Sequence, residues 1–276
     1  MRYPWLDSIA ALNRAYLTED YRAATTSVPV EAMVFVQCDA KQKTFEQEVE
    51  WLEGQVNLDS RIRGMVAWAP LEIGNEVSEY LVRLKRHQLV RGIRRIIQFE
   101  PDLDFCLQPE FIAGVRALSE FDFSFDMCID HRQMGNAIRL VEKINAVPII
   151  LDHIGKPAIR EGRRAEWASE LRVLSRFPNV VCKISGVATE ADHSNWTPED
   201  LQPYLIEVIT AFGFDRVMFG SDWPVSTQAI RFDEWVAILD RLLAGVSVTD
   251  QRKFWRDNAV RVYRLDGHVP KFSMST

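Results

Sequence analysis

Residues 217–224 are Val217-Met218-Phe219-Gly220-Ser221-Asp222-Trp223-Pro224, an apolar run that is followed by a polar turn. The run 217–220 is predicted to form a buried strand because it is short, apolar and preceded by a turn at Phe214-Asp215. Pro224 prevents the strand from continuing. A carboxylate at the end of a buried strand is costly unless it has a partner or a chemical function, so Asp222 is a candidate site residue. The alternative is that Asp222 caps the next helix or forms a structural ion pair.

Short apolar runs with polar ends recur along the whole chain. We predict seven strands, over residues 33–37, 62–68, 90–98, 123–129, 147–151, 180–185 and 217–220. Amphipathic patterns predict a short helix with Thr18 as its N-cap and longer helices over residues 44–57, 77–85, 109–119, 134–143, 164–177, 198–212, 232–243 and 249–263. Near-continuous apolar strands that alternate with helices predict a parallel sheet covered by helices.

The fold class that fits this alternation is an α/β protein of the (β/α)8 TIM-barrel type. The strand ends are evenly spaced, and no GxGxxG motif follows any strand, which weighs against a doubly wound nucleotide-binding sheet. A barrel of this type closes with eight strands, whereas the sequence provides seven. We therefore expect the first strand to be missing from this chain, and the irregular residues 1–17 to be the loop that follows it. We predict one barrel domain over residues 1–266 and a C-terminal tail over 267–276.

The composition excludes several classes of protein. The 276 residues are 47% hydrophobic, which is enough for a sizeable core, and the net charge is −6 with a pI near 5.5. An acidic chain without a basic patch argues against a nucleic-acid partner. No apolar run approaches the roughly 20 residues of a membrane span, and no signal peptide opens the chain. We therefore expect a cytoplasmic protein without a membrane partner.

The four cysteines lie far apart and form no CxxC motif: Cys38, Cys106, Cys128 and Cys182. Three of them lie inside or at the end of apolar, strand-like runs. We predict that they are reduced, buried and structural, because cysteine packs well in protein cores. A cysteine nucleophile is the less favoured alternative.

Polar residues follow the predicted strands at their carboxyl ends, which meet on one face of a barrel and form its active site. The candidates there are Gln37, Arg94 or Arg95, His131, Asp152, His153, Lys183, Ser185 and Asp222, and the loop after residues 180–185 adds His193 and Trp196. His153 and Asp222 form a suitable pair for hydrolysis. A histidine polarises a carbonyl or binds a metal, and an aspartate accepts a proton from water.

Each candidate also has a structural alternative. His153 could be a core histidine with a satisfied ring, and Lys183 could form a buried ion pair with Asp152. His131 could cap a helix or lie on the surface. Of the neighbours Arg94 and Arg95, one must face away from the site because adjacent strand residues point to opposite faces.

Several motifs together resemble a known family, the amidohydrolase-related proteins. The motifs are Leu151-Asp152-His153-Ile154-Gly155-Lys156-Pro157, Cys182-Lys183-Ile184-Ser185-Gly186, Thr189-Glu190-Ala191-Asp192-His193 with Trp196-Thr197, and Met218-Phe219-Gly220-Ser221-Asp222-Trp223-Pro224. Within that family the chain is most similar to the sugar-lactonase group, which includes L-fuconolactone and L-rhamnonolactone hydrolases and, more distantly, 2-pyrone-4,6-dicarboxylate lactonase. The resemblance extends from about Tyr3 to Leu265, and it implies a (β/α)8 barrel that hydrolyses a cyclic ester.

The resemblance also implies roles for the candidate residues. His153 would polarise the lactone carbonyl, and Asp222 would activate the attacking water. Substrate-binding roles fall to Gln37, Arg94, Arg95, His131, Lys183, His193 and Trp196. The expected cofactor is either one divalent metal, zinc or a similar ion, held by His153 and Asp222, or none. The expected partner is a small-molecule lactone, and a homo-oligomer is compatible with the resemblance.

One motif of the family has no counterpart in this sequence. Family members begin with a His-x-His motif at the end of the first strand, and in metal-using members these histidines are ligands. This chain has no histidine before His87. We expect a start site upstream of Met1 to account for the difference, with a truncated protein as the alternative.

Three functions stay open at this point. The first is a sugar-lactone hydrolase, which the presence of His153 and Asp222 favours. The second is a decarboxylase of the same superfamily, which would need a metal and a substrate carboxylate. The third is a non-catalytic or degenerate barrel that binds a sugar acid, which the lack of the His-x-His motif favours.

Overall fold

Seven parallel strands form one sheet in the computed structural model of the chain, which describes residues 2–40 and 44–265. They are β1 (Met33–Val36), β2 (Ile62–Ala67), β3 (Val90–Ile96), β4 (Ser124–Cys128), β5 (Ile149–Leu151), β6 (Val180–Ile184) and β7 (Val217–Phe219). The strand order in the sheet is the chain order, so each strand pairs with its neighbours in sequence. The seven predicted strands and their parallel arrangement are therefore confirmed.

Helices connect the strands and cover the outside of the sheet. They are α1 (Thr18–Ala24), α2 (Phe45–Val56), α3 (Ser78–Lys85), α4 (Pro109–Ala117), α5 (Met134–Val141), α6 (Ala165–Leu174), α7 (Pro198–Phe212), α8 (Phe232–Leu243), α9 (Val248–Arg252) and α10 (Asn258–Val262). None of the helices in the described ranges is long and apolar enough to cross a membrane.

One predicted helix cap is wrong, and one predicted helix contains a turn of a different type. Thr18 is the first helical residue of α1 rather than its N-cap, and Leu17 occupies the cap position. The backbone N–H of Leu17 donates to Oδ2 of Asp20 at 2.9 Å, so a side chain inside the first turn satisfies the helix end. The helix predicted over 249–263 is divided into α9 and α10 by the wider π-helical turn Lys253–Asp257. The predicted tail, 267–276, lies outside the described residues.

The apolar residues form two cores, as expected for a sheet that curls on itself. The larger core lies between the outer face of the sheet and the helices. The smaller core lies on the inner face, where Val66 of β2 and Met218 of β7 belong to one cluster although their strands lie near opposite edges of the sheet. Val262 and Tyr263, at the end of α10, pack into this inner cluster. The C-terminal part of the described chain therefore helps to fill the interior of the sheet.

The two outer strands have one strand neighbour each within residues 2–40 and 44–265, because β1 pairs with β2 and β7 pairs with β6. Aromatic contacts join α1 to the part of the chain that follows β7: the ring of Tyr21 lies 5.2 Å from that of Trp223 and 5.8 Å from that of Phe232. The described part of the structure is a curled seven-stranded sheet, and closure of the barrel by an eighth strand stays a prediction.

Candidate active site

His153 and Asp222 meet at the carboxyl end of the sheet. His153 is the second residue after β5, and Asp222 follows β7 by three residues. The Nε2 atom of His153 lies 3.8 Å from Oδ1 of Asp222, and only 9% and 12% of the two side chains are exposed. The structure therefore brings together the two residues for which the sequence predicts catalytic roles, in a largely desolvated place.

The imidazole of His153 is held by a neighbour on β6's carboxyl end. Nδ1 of His153 lies 2.9 Å from the hydroxyl oxygen of Ser185. Burial lowers the pKa of His153 well below its usual value, so the ring is neutral at physiological pH. A carboxylate that faces Nε2 favours the tautomer with its proton on Nε2, and the Ser185 hydroxyl then donates to Nδ1. In this state Nε2–H is a hydrogen-bond donor on the side of the ring that faces Asp222.

Asp222 has a raised pKa and one carboxyl oxygen that is unpaired among the described residues. Burial raises the pKa of Asp222 to about 6. Its Oδ2 atom is buried and has no hydrogen-bond partner among the described residues. Buried polar atoms are nearly always paired, so an unpaired carboxylate oxygen indicates a place for a water molecule or a ligand group. With a pKa close to neutrality, this oxygen is suited to accept a proton.

Gly186 lies against both members of the pair. Its φ is +60°, a backbone conformation that L side chains rarely adopt. A Cβ atom at this position would lie 2.8 Å from Nδ1 of His153 and 3.0 Å from Oδ2 of Asp222. The site therefore requires glycine here for two separate reasons, backbone conformation and space.

The turn that contains His153 has an unusual backbone. Four consecutive residues have positive φ: 51° at His153, 51° at Ile154, 74° at Gly155 and 45° at Lys156. Each non-glycine residue in this region costs on the order of 1–3 kcal/mol, so the surrounding structure must stabilise the turn. Nε1 of Trp167 donates to the carbonyl of Ile154 at 2.8 Å, which is one of the contacts that do so.

Lys156, at the end of this turn, forms an ion pair that the sequence analysis did not assign. Its Nζ lies 2.7 Å from Oε1 of Glu190, in the loop after β6. Ser185, Gly186, Lys156 and Glu190 all lie within the motifs that define the family resemblance. Ser185 was already a candidate because it ends a predicted strand. Residue type alone gave no role to Gly186, Lys156 or Glu190, for which the shared position in the motifs was the available signal.

Lys183 points into the interior of the sheet and lies between two carboxylates. Its Nζ is 2.6 Å from Oδ1 of Asp152 and 2.8 Å from Oδ2 of Asp126. Burial alone would lower the pKa of Lys183, but the charges of Asp126 and Asp152 raise it well above its usual value. The hydroxyl of Tyr263 donates to the same Oδ2 of Asp126 at 2.6 Å. The structural alternative for Lys183, a buried ion pair with Asp152, is thus present, and Asp126 and Tyr263 are partners that the sequence analysis missed.

Arg94 and Arg95 point to opposite faces of β3, as predicted. Arg94 donates from Nη1 to Oδ2 of Asp152 at 3.0 Å and from Nη2 to the backbone carbonyl of Gln37. Gln37 is fully buried beside it. Arg95 forms ion pairs with Glu72 at 3.1 Å and with Glu100 at 2.5 Å. Of the two arginines, only Arg94 belongs to the described network around His153 and Asp222.

Three further candidates lie towards the rim. His131 donates from Nδ1 to the carbonyl of Lys156 at 3.2 Å, so it contacts the turn that contains His153. His193 is exposed, and its Nε2 donates to the carbonyl of Thr189 at 2.9 Å. Trp196 is half-buried and donates from Nε1 to a backbone carbonyl. The structure joins His131 to the central group and places His193 and Trp196 in a peripheral loop.

Two sets of side chains could offer ligands to a metal. Cys128, Asp152 and His153 have ligand atoms within 4.8 Å of one another. Both oxygens of Asp152, however, are already bound to Lys183 and Arg94, and burial raises the pKa of the Cys128 thiol to about 12. A metal needs the thiolate, so this set does not fit. His153 and Asp222 offer two ligands, whereas catalytic zinc takes three protein ligands, and the described residues supply no suitable third one beside them.

Comparison with known proteins identifies similar sequences and structures. A sequence model described as amidohydrolase matches residues 2–265. The L-fucono-1,5-lactonase of Burkholderia multivorans is 31% identical over 95% of this chain and 91% of its own length. The L-rhamnono-gamma-lactonase of Scheffersomyces stipitis is 24% identical, over 87% of each chain. A crystal structure of an amidohydrolase from Burkholderia multivorans with bound zinc is 31% identical and superposes with a TM-score of 0.87, over 95% of this chain and 93% of that one.

Proposed function

The chain belongs to the amidohydrolase family, and from this membership we propose that it hydrolyses a sugar-derived lactone, an aldonolactone such as L-fuconolactone or L-rhamnonolactone, to the free acid. Two relatives that align with most of the chain bear the names of such lactonases. The single observation on which the proposal rests is the buried pair of His153 and Asp222, with Oδ2 of Asp222 unpaired.

The proposed reaction uses one residue as the base and the other as a hydrogen-bond donor. Oδ2 of Asp222 takes a proton from water as the water oxygen attacks the carbonyl carbon of the lactone. Nε2–H of His153 donates to the carbonyl oxygen, on which negative charge develops. When the tetrahedral intermediate collapses, the ring C–O bond breaks, and the leaving oxygen takes the proton from the carboxylic acid of Asp222. The products are the open hydroxy acid and an ionised Asp222, ready for the next water.

The charges around the pair favour an uncharged lactone over the substrate of a decarboxylase. A substrate carboxylate needs a free cation to bind it. The buried cations near the pair that the structure describes already have carboxylate partners: Arg94 with Asp152, Lys183 with Asp126 and Asp152, and Lys156 with Glu190. A neutral polyhydroxylated ring needs no free cation, so the pairing of these side chains does not oppose its binding.

Zinc is bound in the Burkholderia structure. For this chain, the family resemblance predicts either a divalent ion at His153 and Asp222 or no metal. Because these two residues do not complete a zinc site with the other described residues, no step of the proposed reaction passes through a metal. Activation of water is assigned to the carboxylate of Asp222 and polarisation of the carbonyl to His153.

For the architecture, we propose closure of the sheet as an eight-stranded barrel. The place of the eighth strand lies between β1 and β7, whose facing edges have no strand partner within the described residues. A crystal structure in which β1 pairs directly with β7 would contradict this.

The test of the proposed activity is hydrolysis of L-fuconolactone and L-rhamnonolactone by the purified chain, followed as release of acid. Asp222→Asn should reduce turnover about 10²- to 10⁴-fold, the usual contribution of a general base. The matched control is Asp215→Asn, because Asp215 has 80% of its side chain exposed and pairs with Lys253 on the surface. Equal turnover of wild type and Asp222→Asn would exclude Asp222 as the base.

A further inference from the structure

We propose that the ion pair between Lys156 and Glu190 is a positioning element of the active site, which holds the left-handed turn 153–156 and so sets the place of His153 relative to Asp222. The inference rests on the proposed lactone hydrolysis for its kinetic effects. Its structural part, the restraint of the turn, stands independently of which substrate is used.

The turn contains the catalytic histidine and cannot be stable by itself. Its four residues all have positive φ, and three of them, His153, Ile154 and Lys156, are not glycine. Such a backbone persists only where neighbouring groups determine it. Contacts with the described residues must therefore offset its intrinsic preference for other conformations.

The contacts to the turn come from three neighbouring segments. The backbone N–H and Nδ1 of His131 both approach the carbonyl of Lys156, at 3.3 Å and 3.2 Å. Trp167, in α6, donates to the carbonyl of Ile154. These contacts all engage the main chain. The contact between Lys156 and Glu190 differs, because it joins the end of the turn by a side chain to the loop after β6. It complements the bond between the His153 ring and Ser185, which joins the start of the turn to the residue that follows β6.

The loop after β6 also contains Gly186, which fixes the positions of His153 and Asp222. Glu190 ends a short turn, Ala188–Glu190, that lies shortly after Gly186. The hydroxyl of Thr189 donates to the carbonyl of Gly186 at 2.7 Å, so Gly186 is tied to the same turn. Gly186 in turn lies against both His153 and Asp222. The ion pair therefore closes a ring of contacts that contains His153, Lys156, Glu190 and Gly186.

The alternative is that Lys156 and Glu190 form an ordinary surface ion pair, which contributes little. Against it, the side chains are only 16% and 24% exposed, and their N···O distance is 2.7 Å. Arg172 and Glu207 form an ordinary surface ion pair that serves as the control. They join α6 to α7 at an N···O distance of 2.6 Å, and the Arg172 side chain is 59% exposed. If the alternative holds, variants of the two pairs behave alike.

The experiment compares Lys156→Met and Glu190→Gln with the conservative Lys156→Arg, with the charge-swapped pair Lys156→Glu/Glu190→Lys, and with the control Arg172→Met. The measurements are kcat and KM on L-fucono-1,5-lactone, the thermal midpoint, and amide hydrogen exchange of the segment 152–157. We expect the two single neutralising variants to lose about 10²-fold in kcat, because small displacements of reacting groups have effects of this size, with KM little changed. Their amides at 152–157 should exchange faster than in wild type.

Lys156→Arg should keep wild-type amide protection at 152–157 and most of the wild-type kcat, since it retains the ion pair. The charge-swapped pair should have a higher kcat and slower amide exchange than either single neutralising variant. Arg172→Met should match wild type in both readouts. Wild-type kcat and wild-type exchange in Lys156→Met and Glu190→Gln would overturn the proposal, as would a charge-swapped pair no better than the single variants. If the wild type hydrolyses no lactone, the proposed function fails, and hydrogen exchange alone then decides the positioning role.

Discussion

The imidazole of His153 and the carboxylate of Asp222 approach to 3.8 Å across an intervening strand, since one follows β5, the other follows β7, and β6 lies between them. This separation is longer than a hydrogen bond, so the two groups do not satisfy each other. Ser185 and Gly186 directly follow β6: the Ser185 hydroxyl hydrogen-bonds the ring, and Gly186, which has no Cβ, leaves the space that the pair needs. Two reactive groups that are close but unbonded can both contact a third group, a water or a carbonyl.

The pH dependence of hydrolysis follows from the pKa of Asp222, which burial raises to about 6. The base acts in its ionised form, so kcat/KM should rise with pH, reach half of its plateau near pH 6, and stay constant to pH 7.5. Burial lowers the pKa of His153 well below its usual value, so its ring is neutral where the rate reaches its plateau. Initial rates of acid release between pH 4.5 and 7.5 test this. A midpoint near pH 4 would show that Asp222 is not desolvated or not the base.

The same carboxylate should destabilise the fold at neutral pH. Burial raises the pKa of Asp222 from 3.8 to about 6, so the folded state binds the proton more tightly than the unfolded state. The cost is absent below the unfolded pKa and fully present above pH 6, where it reaches about 2–3 kcal/mol. The free energy of unfolding of Asp222→Asn should therefore exceed that of wild type by a small amount at pH 4 and by a larger amount at pH 8. Urea unfolding at both values measures the difference, and a gain independent of pH would contradict it.

Gly186→Ala should inactivate the protein without unfolding it. The added Cβ would lie 2.8 Å from Nδ1 of His153 and 3.0 Å from Oδ2 of Asp222, so the pair must separate. A displacement of this kind costs about 10²-fold in turnover. The control is Gly162→Ala, where φ is also positive, at +63°, but no atom lies within 4 Å of the added Cβ. The control imposes the same backbone strain, so loss of turnover in both variants would show that strain alone is the cause.

Lys183→Met should chiefly affect stability. It would leave the carboxylates of Asp126 and Asp152 buried in the interior without their shared cation. Removing one partner from a buried ion pair costs about 3–5 kcal/mol. Urea unfolding should show a loss of this size, against little change in Arg172→Met. Unchanged stability with a raised KM would instead support the substrate-binding role predicted from the sequence.

The sequence could predict the strands because each is a short apolar run bounded by turns, a local pattern that needs no tertiary information. It could also place the candidate residues, since parallel strands bring their carboxyl ends to one edge, and His153 and Asp222 do meet there. The helix ends were harder. Leu17 rather than Thr18 caps α1 because Asp20 reaches back to its N–H, and the π-helical turn between α9 and α10 has no local signature.

Residue identity and spacing by themselves determined the parallel α/β arrangement and the family, and they predicted the pair His153 and Asp222 as the centre of the site. Only the tertiary structure decided which charged side chains are already paired with a partner and which are available to a ligand. Lys183 and Arg94 look like substrate-binding cations in the sequence, but both lie against Asp152, whose oxygens they occupy. The role of Lys156 depends on Glu190, from a different loop. The physical reason is that the strength and availability of a charge depend on its burial and on the partners within a few ångströms, which the order of residues along the chain does not specify.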